Sequence, residues 1–333
     1  MTKIITCTGY GGTGSSAITD LLKEFDNGVS LGDIEFWLLQ DYDGIRDLEY
    51  FLIDGNHRSK VSLAVKRFKR YIEKNKKFYN RYFTNEFEQL TEQYIDSLID
   101  AKFKKALSLY EVENSFFKLL FFKLIPYSQI IMRKILKLNN FEFSPYLPTV
   151  NKYYSIPDKD RFYRETKQYI NSLFNKINNN YSFIAIDQLV PAMGIERYFN
   201  YIDNMKVVVI DRDPRDLYLL NEIVWKQASY ICDTSDVDSY IDWYRSMREH
   251  RHLEKENSNI LYINFEELIY EYDQTLEKLY NFFELEENTH IWKRKYFNPS
   301  ISITNTKLWE RYSTYKPENI SKIKDALNEY CYR

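Results

Sequence analysis

KIITCTGYGGTGSSAITDLLKEF, residues 3 to 25, decides how this chain is read. Lys3 to Thr8 is a short apolar, β-rich run and predicts a buried strand. Ile18, Leu21, Leu22 and Phe25 recur at helical spacing and predict a helix over 15–25, with Ser15 or Ser16 as its N-cap. Between them lie Gly9, Gly11, Gly12 and Gly14. Average glycine usage is about 7%, yet this chain has 9 glycines in 333 residues and places four of them within six positions. Glycine is needed where φ is positive or where a ligand must come close to backbone N–H groups. Strand, glycine loop and helix together form an anion site, because orphan N–H groups and the positive end of the helix dipole converge there.

Three further apolar runs stop abruptly at polar residues. Ser182 to Ile186 ends at Asp187, Lys206 to Ile210 at Asp211 and Arg212, and Ile260 to Phe265 at Glu266 and Glu267. Helical segments separate them, and this alternation predicts an α/β fold: a parallel sheet flanked by helices. Ligands in such sheets bind beyond the carboxyl ends of the strands. The glycine loop, Asp187, Arg212 and Glu266 are therefore expected on one edge. Residues 30–57 are acidic and aromatic and show no clear strand. Residues 58–181 lack glycine and read as mostly helical. The expectation is a single α/β domain over 1–333 with a largely helical insertion at about 58–180.

Composition narrows the function classes. Hydrophobic residues are 44% and charged residues 28%, which is globular composition, and a formal net charge of −2 gives no global pointer to nucleic acid. Cys7, Cys232 and Cys331 sit at no metal spacing and suggest a reducing compartment. The N-terminus does not read as a signal peptide, and Phe116 to Ile131 is too charged to span a bilayer. A cytoplasmic protein without a metal is expected. Arg58 to Arg81 and Ala101 to Leu138 are basic, with phenylalanines interleaved in the second. They read as amphipathic helices with solvated charges; the sharper alternative is a surface for an anionic acceptor or a membrane interface. Arg248, His250, Arg251 and His252 read as a solvated helix face.

The loop fits the nucleotide-binding pattern G-x-x-x-x-G-K-[ST] at Gly9, Gly14 and Ser16, but Ser15 stands where the lysine is expected. That departure argues against ATP or GTP hydrolysis. The second element is VVVIDRDPRD, residues 207–216, where an arginine past a strand end can fork onto a phosphate or sulfate and Pro214 opens a helix. Its bland alternative is an Arg–Asp cap joining strand and helix.

Together these two elements resemble the sulfotransferases that use 3′-phosphoadenosine 5′-phosphosulfate (PAPS). Two later segments are similar as well: Asn264-Phe265-Glu266-Glu267-Leu268, and the stretch from Asn298 to Arg311 containing Lys307 and Trp309. The resemblance implies a P-loop-NTPase-like fold. It also implies that Gly11, Gly12, Thr13, Gly14, Ser15 and Ser16 hold the 5′-phosphosulfate and Arg212 the 3′-phosphate. Asn221, Lys307 and Trp309 are implied to complete the nucleotide site, with Lys307 also stabilising the transferring group. Two positions depart from the family. Gly12 stands where many members have a cation, and Leu220 where many have a serine for the 3′-phosphate.

Sulfuryl transfer to a hydroxyl needs a general base. Glu35 is the first candidate and His57 the second, with Asp33 and Asp187 positioning the acceptor. The expected acceptor is a carbohydrate or glycolipid. The alternatives are a kinase-like phosphotransferase and a catalytically silent nucleotide-binding protein.

Overall fold

A computed structural model of the chain describes residues 2–55, 58–106, 116–138, 149–177, 180–226 and 233–333. The chain divides into two compact units, one formed by residues 1–40 with 170–333 and the other by residues 41–169.

The first unit is built on five strands: β1 (Lys3–Gly9), β2 (Gly28–Glu35), β5 (Phe183–Asp187), β6 (Met205–Asp211) and β7 (Ile260–Asn264). Their order is β2-β5-β1-β6-β7, and every pairing is parallel. The expected parallel sheet flanked by helices is thus present. β1, β5 and β6 are buried on both faces, and so their sequences are continuous apolar runs. Ile5, Cys7, Phe183, Ala185, Val208 and Ile210 on one face pack against Ile18, Leu21 and Leu22 of the first helix (Ser15–Leu22). That helix is three residues shorter than its periodicity suggested. Its N-cap is Gly14 at φ +105° with no side-chain cap, so neither serine takes the capping role.

β2 is a strand that the sequence does not announce. Val29, Ser30 and Leu31 are only half-buried, as befits an edge strand, and GVSLGDIE carries no apolar run. Glu35, its last residue, lies in register with Asp187 at the end of β5.

In the second unit the helix Arg58–Phe83 buries Val61, Ala64, Val65, Phe68, Ile72, Tyr79 and Phe83. These positions recur at one-turn intervals, and the lysines between them remain solvated. Buried tyrosines pair their hydroxyls: Tyr71 with Tyr79 at 2.9 Å, Tyr94 with Thr166 at 2.8 Å and Tyr169 with Thr91 at 2.7 Å. Much of the chain's tyrosine content is therefore core that satisfies its own polar tips. The unit is not wholly helical. β3 (Ala101–Ala106) and β4 (Thr149–Tyr154) form an antiparallel pair. β3 is exposed along nearly its whole length and lysine-rich, so no hydrophobic alternation marks it.

Candidate functional site

Strand geometry brings the candidate residues to one edge. β1 ends at Gly9, β2 at Glu35, β5 at Asp187 and β6 at Asp211, with Phe265 directly after β7. Beyond these ends lies a cleft of about 740 Å³. Gly11, Gly12, Gly14, Ser15 and Ser16 line it, as do Arg212, Asp33, Glu35 and Asp187. Of the groups expected to share one edge, the glycine loop, Asp187 and Arg212 line this cavity and Glu266 does not; Asp33 and Glu35 join them from β2.

The glycine loop owes its shape to positive φ at three positions: Gly11 at +92°, Gly12 at +68° and Gly14 at +105°. Two of these also lack room for a side chain. A Cβ on Gly12 would lie 2.7 Å from the Trp225 ring, and one on Gly14 would lie 2.7 Å from the Phe265 ring. A lysine or arginine at position 12 would need both a left-handed backbone and the space the Trp225 indole fills. From Gly11 to Ser16 the backbone N–H groups find no backbone partner within the chain, among the described residues. This leaves a row of donors at the start of the first helix.

Arg212 follows β6. It is only 5% exposed, with its guanidinium carbon 4.6 Å from the centroid of the Phe265 ring. One terminal nitrogen donates to the Asn305 carbonyl. Its Nε is buried without a hydrogen-bond partner. Burial lowers the guanidinium pKa, and the nearby Glu266 charge opposes that shift. Among the described residues, Arg212 is the one cation lining the cleft.

Its charged neighbours are engaged elsewhere. Asp211 is held by Arg248 at 2.5 Å, with Arg248 almost wholly buried. Arg248 is thus not on a solvated face: it crosses back to neutralise a carboxylate at the strand end. Asp213 caps the helix Pro214–Leu219 and binds Arg215 at 2.5 Å, while Arg215 stacks 4.1 Å over Trp309. The Arg–Asp cap is real, but Arg215 makes it and Arg212 is left for the cleft. Asp216 accepts the backbone N–H groups of Lys307 and Leu308 at 2.8 and 2.7 Å, and burial pushes its carboxyl up to about 6. Glu266 accepts the Asp213 N–H at 3.1 Å and is pushed by burial up to about 8.

Carboxylates form the opposite side of the cleft. Asp187 is buried, and burial, reinforced by the charge of Glu35, pushes it up to about 7; its Oδ1 has no hydrogen-bond partner among the described residues. Desolvation also raises Glu35, although this residue lies at the exposed mouth. Asp33 is exposed and paired with Lys23 at 2.5 Å. Gln188 bridges the two sides. Its Nε2 donates to Ser15 Oγ at 3.1 Å, its Oε1 accepts from Thr8 at 3.0 Å, and its own φ is +53°.

Several candidates lie away from the cavity. Lys307 spends its N–H on Asp216, and its Nζ sits 5.2 Å over the Tyr270 ring. Trp309 lies under Arg215. Asn221 is buried and donates to the Leu217 carbonyl at 3.0 Å. Thr13 is buried, with its hydroxyl oxygen 2.0 Å from where a Gly9 Cβ would stand. None of these four lines the cleft. His57 falls outside the described residues. Sequence reasoning gave no cleft role to Trp37, Gln188, Tyr296 and Phe297, which do line it. Gln188 had a usable signal, since it directly follows the polar end of a buried strand. The other three carry none.

Tyr296 and Phe297 are delivered by a buried clasp. Glu24, just past the first helix, accepts N–H groups of Arg294, Tyr296 and Phe297 at 2.8 to 2.9 Å and contacts His290 Nε2 at 2.7 Å. Burial works against the Glu24 carboxylate, but these hydrogen bonds outweigh it and hold the group below the ordinary range.

No model of a known protein family matches the chain, and no curated protein matches it. Solved structures do match. Over 98% of its length and 98% of the other chain, it is similar to the sulfotransferase domain from the curacin biosynthetic pathway, with 11% identity and a TM-score of 0.45. Retinol dehydratase in complex with androsterone and the inactive cofactor PAP matches at 12% identity and a TM-score of 0.34, over 98% of this chain and 80% of that one. STF9, a sulfotransferase from Mycobacterium avium, matches at 11% identity and a TM-score of 0.37, over 99% and 76%.

Proposed function

We propose that the chain transfers a sulfuryl group from PAPS to a hydroxyl of a carbohydrate or glycolipid acceptor. One observation carries this reading. A row of loop N–H groups with no backbone partner among the described residues and a buried arginine with a free Nε line the same cleft, and a donor with anionic groups at both its 5′ and 3′ positions needs two such grips.

On this reading the amides of Gly11 to Ser16 hold the phosphosulfate and Arg212 the 3′-phosphate. With Gly12 unable to carry a cation, stabilising charge on the moving group falls to the loop amides and the end of the first helix. The acceptor oxygen forms a bond to sulfur as the bond from sulfur to the bridging oxygen breaks. The acceptor's proton passes to Glu35, with Asp187 beside it, and adenosine 3′,5′-bisphosphate is released. Carboxylates at Asp33, Glu35 and Asp187 accept hydrogen bonds from a polyhydroxyl acceptor, and Trp37 offers a face for a sugar ring.

A second reading is a magnesium-dependent phosphotransferase. The placement of Ser15 and Asp187 together in the cleft supports it, since a loop hydroxyl and a strand-end aspartate are the groups that hold magnesium in P-loop enzymes. Thermal-shift titration separates the two. A ligand at 100 times its dissociation constant stabilises by about 2.7 kcal/mol. The bisphosphate is expected to do so without metal. Stabilisation by ATP with magnesium, and none by the bisphosphate, moves the assignment to phosphoryl transfer.

A further inference from the structure

The helix Phe116–Ile135 of the second unit exposes apolar side chains at Leu120 and along its half from Leu124. Leu120, Leu124, Tyr127, Ile131 and Ile135 follow one another at spacings of three and four and form a single stripe. Their exposures are 42, 54, 68, 57 and 72%. From Leu124 to Leu138 no side chain is buried. In the helix Arg58–Phe83 the same spacing marks the face that packs on a core, so here the stripe lacks the cover its pattern implies.

The charges beside it have one sign. Residues 116–138 contain Lys118, Lys123, Arg133, Lys134 and Lys137 and no Asp or Glu. At about 100° per residue, Lys134 and Lys137 fall on one flank of the stripe, and both are exposed. β3, with Lys102, Lys104 and Lys105 and no acid, adds to the same sign. Residues 41–169 hold 24 Lys and Arg against 17 Asp and Glu, whereas the rest of the chain holds 22 against 31. An overall charge of −2 therefore hides a strongly basic unit. Among the described residues no helix is long and apolar enough to cross a membrane.

We propose that this helix lies flat on the surface of an anionic phospholipid bilayer, with the stripe among the acyl chains and the flanking lysines against the headgroups. A second copy of the chain fits worse, because it would set five cations against five with no carboxylate between them. A lipid surface accepts the apolar stripe and the one-signed flank together.

Vesicle flotation of the full chain tests this. Retention is expected on phosphatidylcholine vesicles containing about one third phosphatidylserine, weakly on phosphatidylcholine alone, and less as salt rises. Replacing the stripe (Leu124→Ser, Tyr127→Ser, Ile131→Ser) is expected to lower the partition coefficient at least about tenfold. Replacing the flank (Lys134→Ser, Lys137→Ser) is expected to remove most of the preference for the anionic lipid. All five side chains are exposed, so both variants should melt as the wild type does. Absence of retention on the anionic vesicles overturns the proposal, as does retention that neither variant changes. A wild-type dimer in sedimentation that the stripe variant splits assigns the face to a second copy instead and also overturns it.

Discussion

The two sides of the cleft hold their polar groups in opposite ways. At Arg212 a single cation is buried and gripped by a backbone carbonyl and a phenyl ring, with its Nε unspent. At Glu35 and Asp187 two carboxyls stand opposite each other across a strand pair, and burial makes both reluctant to ionise. The first arrangement suits holding an anion that does not react. The second suits taking up a proton, because a base is most effective when its pKa lies near the working pH. On the proposed function, binding and proton transfer fall to different strand ends of one sheet.

The largest expected effect cuts at the carboxyl side. Replacing Glu35 by Gln together with Asp187 by Asn should lower turnover by about 10²–10⁴-fold and leave bisphosphate affinity nearly unchanged. A parallel loss of affinity in calorimetry would erase the division of labour. On the other side, Arg212→Ala should weaken adenosine 3′,5′-bisphosphate by about 10–100-fold, since hydrogen bonds to charged groups contribute about 1.5–3 kcal/mol. Adenosine 5′-phosphate should be little affected; equal loss for both nucleotides would mean that Arg212 does not read the 3′ position.

The smallest effect is a slope. Between about pH 4 and pH 7 Asp187 is ionised in the unfolded chain but still protonated when folded. The folded state then binds more protons, so stability falls as pH rises across that window. Asp187→Asn should flatten the fall by up to about 1.4 kcal/mol per pH unit, measured by urea unfolding at several pH values. An unchanged slope would place the proton on another group, with Asp216 and Glu266 the next to test.

Sequence legibility followed burial. β1, β5 and β6 were readable because interior strands of a parallel sheet are apolar runs; β7 is a half-buried edge strand, yet ILYIN keeps an apolar run, and each of the four stops near the cleft. β2 and β3 were not, because one is a half-exposed edge and the other is solvated, so neither needs an apolar pattern. Within the site, backbone-driven features were legible. Glycines that require positive φ and a proline-opened helix announce themselves. Side-chain destinations were not. Lys307, Trp309 and Asn221 are of the right types at plausible positions, yet Asp216, Arg215 and the Leu217 carbonyl claim the chain around them. Arg248 is the converse, a surface-type residue whose partner lies 37 positions away.

The Glu24 clasp bears on when the protein becomes competent during its own synthesis. Its acceptor oxygens are made early, but the Phe297 amide that they bind follows 273 positions later. At about 5–20 residues per second, a ribosome needs roughly 15–55 s to supply it. Through that interval a buried-type carboxylate waits in the nascent chain without its donors, and the aromatic pair it positions is missing from the cleft. A product that stops before residue 296 keeps its glycine loop and yet lacks the two aromatic walls that the clasp delivers to the cleft.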